Sequence, residues 1–169
     1  ELKLNNRLSK KIIKFVFFGD IKKDRLIHIC TDILKKLSSE YEFEMDIYGS
    51  VNDQKYLQSL LLNKKNTFIR YCGLLPYFEA GNKLSEYDIG ILTNEINQNS
   101  IYTLPGKLWE YLSAGLSILS NDRPSVRHFF EKNDIGWYLL TEADWESCLR
   151  SILSGNENLR EKRMNSMKL

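Results

Sequence analysis

The chain has 169 residues, enough for one domain with a core of its own and no need of staples. Hydrophobic residues make up 43% and charged residues 27%, which are globular values, and a net charge of +2 supplies no general argument for binding nucleic acid or membrane. The cysteines, Cys30, Cys72 and Cys148, form an odd set with neither CxxC metal spacing nor a disulfide framework, and no apolar run approaches the roughly 20 residues of a membrane span.

These totals lead us to expect a cytoplasmic protein whose thiols are buried in a reducing compartment. No signal-peptide pattern is present. The chain opens "ELKLNN" without an initiator Met and enters a strand almost at once, a start that suggests a segment of a longer protein.

"KFVFFGD" (Lys14 to Asp20) is a continuous apolar run closed by Gly, the mark of a strand buried on both faces. "DRLIHICTDILKKLSSEY" then places Leu26, Ile29, Ile33, Leu34 and Leu37 on one helical face. "FEMDIYGS" (Phe43 to Ser50) is the second strand, with Asp53 to Lys64 as its helix, and "TFIRYCGLL" (Thr67 to Leu75) is the third. A helix over about Pro76 to Glu86 leads to "DIGILTN" (Asp88 to Asn94). An irregular stretch, Asn94 to Leu104, precedes the helix within "YTLPGKLWEYLSAG". Next come "LSILSN" (Leu116 to Asn121), a helix over Pro124 to Lys132, "GWYLLT" (Gly136 to Thr141) and a helix from Ala143 to Leu153. The tail, residues 155–169, is polar and reads as a helix with no clear apolar stripe, in want of a surface to lie on.

Strand and helix alternating six times imply an α/β, Rossmann-like, doubly wound and mostly parallel six-stranded sheet in a single domain. Ligands of such sheets bind at the carboxyl ends of the strands, so the residues just past each strand matter most. Neither GxGxxG nor GxxxxGK[ST] occurs, which argues against a dinucleotide fingerprint and a P-loop. The two histidines, His28 and His128, fall within helices without triad or ligand spacing, and no metal site is expected.

Four strand exits carry candidate chemistry. After the first, "GDIKKDR" puts Gly19 at the turn and Lys22, Lys23 and Arg25 at the start of a helix, a phosphate-binding arrangement or a solvated charged loop. After the second, "YGS" places Gly49 and a small polar residue at the turn. After the third, Gly73, Leu74 and Leu75 form a turn whose backbone could face a flat ring. At the fourth, Pro105 suits the first helical position and Gly106 lets an anion approach unpaired N–H groups. Lys107 then sits in a positively polarised first turn, where a cation is disfavoured unless something negative is present. Its neighbour Glu110 offers an i,i+3 ion pair of only about 0.2–0.5 kcal/mol, too small to explain that placement; a bound diphosphate would.

"YTLPGKLWEYLSAGLSILSND" resembles the donor-binding motif of retaining GT-B glycosyltransferases, those of glycosyltransferase family 4 (glycosyl transferases group 1), with its Pro-x-Lys-x-x-Glu-Tyr followed by Ala-Gly and a short apolar strand. "FVFFGDI", "FEMDIYGS", "IRYCGLLP" and "YDIGILT" resemble that domain's other blocks in the same order, from Lys14 to about Leu153. The resemblance implies one half of a GT-B fold, the carboxyl-terminal nucleotide-sugar-binding domain, working across a cleft from an amino-terminal domain of the same chain. Carried over by position, the backbone of Thr103, Leu104, Gly106 and Lys107 meets the diphosphate, Glu110 holds the ribose, and the turn at Gly73 to Leu75 contacts the base. Lys22 or Lys23 neutralises the leaving diphosphate, and with Lys107 and Tyr102 makes up the implied catalytic set. Tyr102 stands where the family often has a Glu, and Asp20 where it has an Arg.

The implied activity is transfer of a sugar from a UDP- or GDP-linked donor to a glycan or lipid-linked acceptor, as in bacterial surface polysaccharide synthesis. No cofactor besides the donor is implied, and the full-length enzyme would work at the inner face of the membrane. A nucleotide-sugar 2-epimerase of the same fold and a non-catalytic sugar-nucleotide-binding module are the alternatives.

Overall fold

The computed structural model describes residues 12–61, 68–98 and 101–169. The expected ends of the second helix and start of the third strand, at Lys64 and Thr67, and the opening "ELKLNN" lie outside them.

Among the described residues six strands alternate with six α-helices, and a seventh helix follows the sixth. They are β1 (Ile13–Phe18), α1 (Ile27–Leu37), β2 (Phe43–Tyr48), α2 (Gln54–Leu61), β3 (Ile69–Tyr71), α3 (Tyr77–Leu84), β4 (Ile89–Leu92), α4 (Gly106–Ser113), β5 (Ser117–Asn121), α5 (Pro124–Asn133), β6 (Gly136–Leu139), α6 (Glu142–Ser154) and α7 (Leu159–Ser166). The strands form one sheet in the order β3-β2-β1-β4-β5-β6, and every pairing is parallel. Chain order reverses between β1 and β4, which makes their carboxyl ends the topological switch point.

Period-2 alternation within β1 explains the two layers. Phe15 and Phe17 point to the face covered by α1, α2 and α6, while Val16 points to the face covered by α3, α4 and α5. Both faces are closed, so the central strands need apolar residues at nearly every position. β1 supplies them with Phe15, Val16 and Phe17, all fully buried.

At the seam between the two halves the pairing is sparse. β1 and β4 are in register only at Phe15↔Ile89 and Val16↔Gly90, whereas β1 and β2 pair over six residues. Beyond Val16 the strands part, and the Tyr111 hydroxyl fills the gap: it accepts from the Phe18 N–H at 3.0 Å and donates to the Ile91 carbonyl at 3.1 Å. Two backbone groups that would otherwise be orphaned are thereby satisfied. The Tyr111 ring lies so close over Gly90 that a Cβ there would collide with it, which accounts for the Gly within "DIGILT".

The polar tail finds its surface within the same domain. Asp88, nearly buried at the amino-terminal end of β4, accepts from the Lys14 N–H at 3.1 Å and pairs with Arg163 of α7 at 2.7 Å. Arg163 also donates to the Gly115 carbonyl at 3.0 Å, and Lys162 pairs with Asp134. α7 therefore lies along the edge of the sheet opposite the strand exits, held by charge and hydrogen bonds where an apolar stripe is lacking. The cysteine expectation is corrected at one position: Cys30 is buried and Cys148 half-buried, but Cys72 is exposed, because it comes just after β3, the edge strand.

Candidate functional site

Three glycines that leave consecutive strands stand side by side on the carboxyl edge of the sheet. The Gly49 N–H donates to the Gly73 carbonyl at 2.9 Å, and the Gly49 Cα sits so close to the Gly19 carbonyl that no side chain could be built there. The Gly19 N–H in turn donates to the Tyr48 carbonyl at 2.9 Å. This run of bare backbone passes from β3 to β2 to β1 and ends against Lys107. A Cβ on Gly19, whose φ is 133°, would fall within the Lys107 side chain.

α4 carries Lys107 into the switch point. The helix has no side-chain cap, and the space where a Cβ of Gly106 would stand is open. The first turn of α4 therefore borders an accessible gap, and its Leu108 N–H is already donated to the Pro105 carbonyl at 3.0 Å. The Lys107 ammonium lies 4.0 Å from the centre of the Phe17 ring, and no carboxylate among the described residues comes within ion-pair distance of it. Burial pulls its pKa down to about 7; the like charge of Arg25 adds to this, against the opposing pull of Asp20, Glu110 and Asp24. The i,i+3 pair with Glu110 is not formed. Burial pushes the half-buried Glu110 carboxyl up, with Lys107 pulling the other way.

The first-exit cations are arranged differently from the expectation of a helix start. Lys23 to Arg25 form a single 3-10 turn, Leu26 takes a left-handed conformation with φ 52°, and α1 begins only at Ile27. A Leu with positive φ is strained, and it separates the loop that carries the three cations from the first turn of α1. Lys22 pairs with Asp24 at 3.1 Å and Lys23 is exposed. Arg25 is the cation of this loop whose charge acts on Lys107. Its Nη1 donates to Asn94 Oδ1 at 2.6 Å, and its Nε is buried without a partner among the described residues.

Further bonds lock the exits of the two halves together. Thr93 Oγ1 donates to the Arg25 carbonyl at 2.6 Å and the Glu95 N–H donates to the Asp24 carbonyl at 2.7 Å, while Asn94 and Asn121, past β4 and β5, exchange a reciprocal pair within the second half. Asp20 accepts from Ser50 Oγ at 2.6 Å and lies 3.9 Å from Arg25; the Ser50 bond, outweighing burial, holds its pKa below the usual carboxylate value.

The structure thus brings Gly19, Gly49, Gly73, Gly106 and Lys107 to one edge. Thr103 accepts from Ser125 Oγ at 3.2 Å through its carbonyl, and Leu104 packs in the layer of α3, α4 and α5. Leu75 packs in that same layer, whereas Leu74 beside it is exposed together with Tyr77 and Phe78. Tyr102 stands out from the rim, 85% exposed. Sequence reasoning named Arg25 among the first-exit cations but gave the leaving diphosphate to Lys22 or Lys23, and it did not place Tyr111 in this crevice. Tyr111 read only as a core residue, because nothing in a sequence marks which core tyrosine spends its hydroxyl on a strand gap.

No protein-family model matches the sequence, and no curated protein matches it. Solved structures do match the fold. The carboxyl-terminal domain of LpcC, a glycosyl transferase group 1 family protein from Francisella tularensis, superposes with a TM-score of 0.73 at 12% identity over 92% of this chain and 83% of that one. The fold is that of a GT-B carboxyl-terminal domain. The pneumococcal O-GlcNAc transferase GtfA, solved with UDP and GlcNAc, matches with a TM-score of 0.72 at 17% identity over 92% of this chain. Anabaena HepE, solved with UDP and glucose, matches with a TM-score of 0.71 at 11% identity over 92% of this chain. The chain spans 31% of the length of GtfA and 42% of that of HepE. Within a GT-B carboxyl-terminal domain, the glycine edge and Lys107 lie where strand order reverses, the general position of ligands in open α/β sheets. No helix among the described residues is long and apolar enough to cross a membrane.

Proposed function

We propose that this chain is the donor-binding domain of a glycosyltransferase, holding a UDP- or GDP-linked sugar along the glycine edge with its diphosphate at the amino terminus of α4. The observation that carries the reading is Lys107. A partly buried ammonium without a counter-charge, set against bare backbone and an uncapped helix terminus, is arranged for an anion that arrives from outside. GtfA and HepE, of the same fold, were solved with UDP.

In this reading the base lies on the turn at Gly73 to Leu75 and Glu110 accepts from the ribose hydroxyls. Negative charge grows on the diphosphate as the glycosidic bond breaks. Lys107, Arg25 and the first-turn N–H groups of α4 are fixed in advance to stabilise it. Arg25 takes the part that the family pattern gave to Lys22 or Lys23, and Tyr102 stands at the rim beside the transferred sugar. An open edge leaves the reacting bond exposed to water, so the reading includes an opposing amino-terminal domain that closes the cleft and a glycan or lipid-linked acceptor that enters between them. It places the enzyme in the cytoplasm, at the membrane face, in surface polysaccharide synthesis, and assigns no cofactor besides the donor.

Calorimetric titration of UDP and GDP into wild type and Lys107→Ala tests the reading. Loss of one charge-assisted contact weakens binding of the preferred diphosphate by roughly 1–3 kcal/mol. Equal affinity in the two proteins would remove the anion site from α4.

A further inference from the structure

We propose that binding of a nucleotide-sugar diphosphate in this crevice is coupled to uptake of one proton by Lys107, so that donor affinity falls as pH rises through neutrality; the inference rests on the donor-site reading above. The surroundings of the amine set its charge. Its stem lies against Gly19 and its Nζ over the Phe17 ring, a position that removes much of the water an ammonium needs. Charged groups face it from three elements. From the exit of β1, Asp20 is bonded to Ser50 and lies near Arg25; from the 3-10 turn, Asp24 is paired with Lys22, and Arg25 presents a like charge. From α4 itself, Glu110 remains beyond ion-pair distance. The carboxylates nearby are committed elsewhere or too far away, so burial first and Arg25 second bring Lys107 to about 7.

A diphosphate diester at the first turn of α4 changes the balance. It adds two negative charges at the uncapped helix terminus next to this amine and favours the ammonium. Where the free site holds the neutral amine, binding draws one proton from solvent onto Nζ. The phosphates of a nucleotide sugar carry no titrating proton near neutrality, so the exchange reports the protein alone. A group centred near 7 in the free site and raised well above it in the complex makes affinity fall about tenfold between about pH 6 and about pH 8.

The test is isothermal titration of UDP-glucose into the chain, at both pH values, in buffers of differing ionisation enthalpy. The expected result at the higher pH is close to one proton taken up per ligand bound, with almost none at the lower. Lys107→Arg, which stays charged throughout, is expected to bind with no proton uptake and to lose the tenfold pH dependence. Buffer-independent enthalpies in wild type at the higher pH, or uptake that survives in Lys107→Arg, would overturn the coupling while leaving the donor site intact. Failure of UDP-glucose and GDP-mannose to bind at either pH would instead overturn the donor reading and the coupling with it.

Discussion

Arg123 and Lys107 are both cations drawn out of water near the strand exits, and their surroundings separate their roles. Lys107 borders an open gap. Arg123, at the amino-terminal cap of α5, is 1% exposed, and its Nε and Nη2 are buried without hydrogen-bond partners among the described residues. Burial alone lowers its pKa, and the adjacent carboxylate, Asp122, is taken by Arg127. An uncompensated buried charge costs several kcal/mol, and replacing it with an apolar chain of similar length recovers part of that cost. Arg123→Met is therefore expected to stabilise the domain by about 1–3 kcal/mol, measured by urea denaturation. A lower midpoint in the variant would show that the guanidinium contributes packing or bonds that outweigh its desolvation. The two residues also differ in how they read from sequence. Lys107 stands out because Pro105 and Gly106 announce a helix start, where a cation is out of place. Arg123 stands in a run of ordinary turn residues, and its burial depends on what the fold lays over it.

Elements are more legible than their roles. Continuous apolar runs closed by Gly, alternating with stripes at helical spacing, lead to six strands in a doubly wound sheet, and the structure has all six. Boundaries move where backbone geometry, invisible in composition, intervenes. The charges of the first exit read as the start of the first helix, but the left-handed Leu26 delays it to Ile27. The tail shows the converse. α7 has no apolar stripe because it is attached by polar contacts, of which Arg163 to the nearly buried Asp88 is the central one. Removing the partner of a buried carboxylate leaves its charge under-satisfied, so Arg163→Ala is expected to cost about 1–3 kcal/mol in thermal or denaturant unfolding. Since α7 lies at the sheet edge opposite the crevice, UDP affinity should not change. A variant that loses UDP binding while retaining its unfolding midpoint would show that this edge communicates with the site.

At the scale of the whole molecule, the crevice coincides with the seam of the sheet that has the fewest register pairs. Among the described residues, the halves β3-β2-β1 and β4-β5-β6 share two register pairs, the Lys14–Asp88 bonds, the Tyr111 bridge and the bonds from Thr93, Asn94 and Glu95 to the first exit loop. A diphosphate bound between Gly19 on one half and Lys107 on the other adds contacts across this seam. Such a ligand binds the native state and has no site in the unfolded chain, so it stabilises the domain as a unit. At about 100 times Kd the gain is about 2.7 kcal/mol. For a chain of this size that corresponds to a rise in Tm of roughly 5–10 °C. A thermal-shift series with UDP, GDP, CDP and ADP should therefore separate one base from the others by several degrees, because all four share the diphosphate and differ only at the turn of Gly73 to Leu75. Equal shifts from all four would mean that the glycine edge reads only the diphosphate, and no shift from any would mean that this edge is not a nucleotide site.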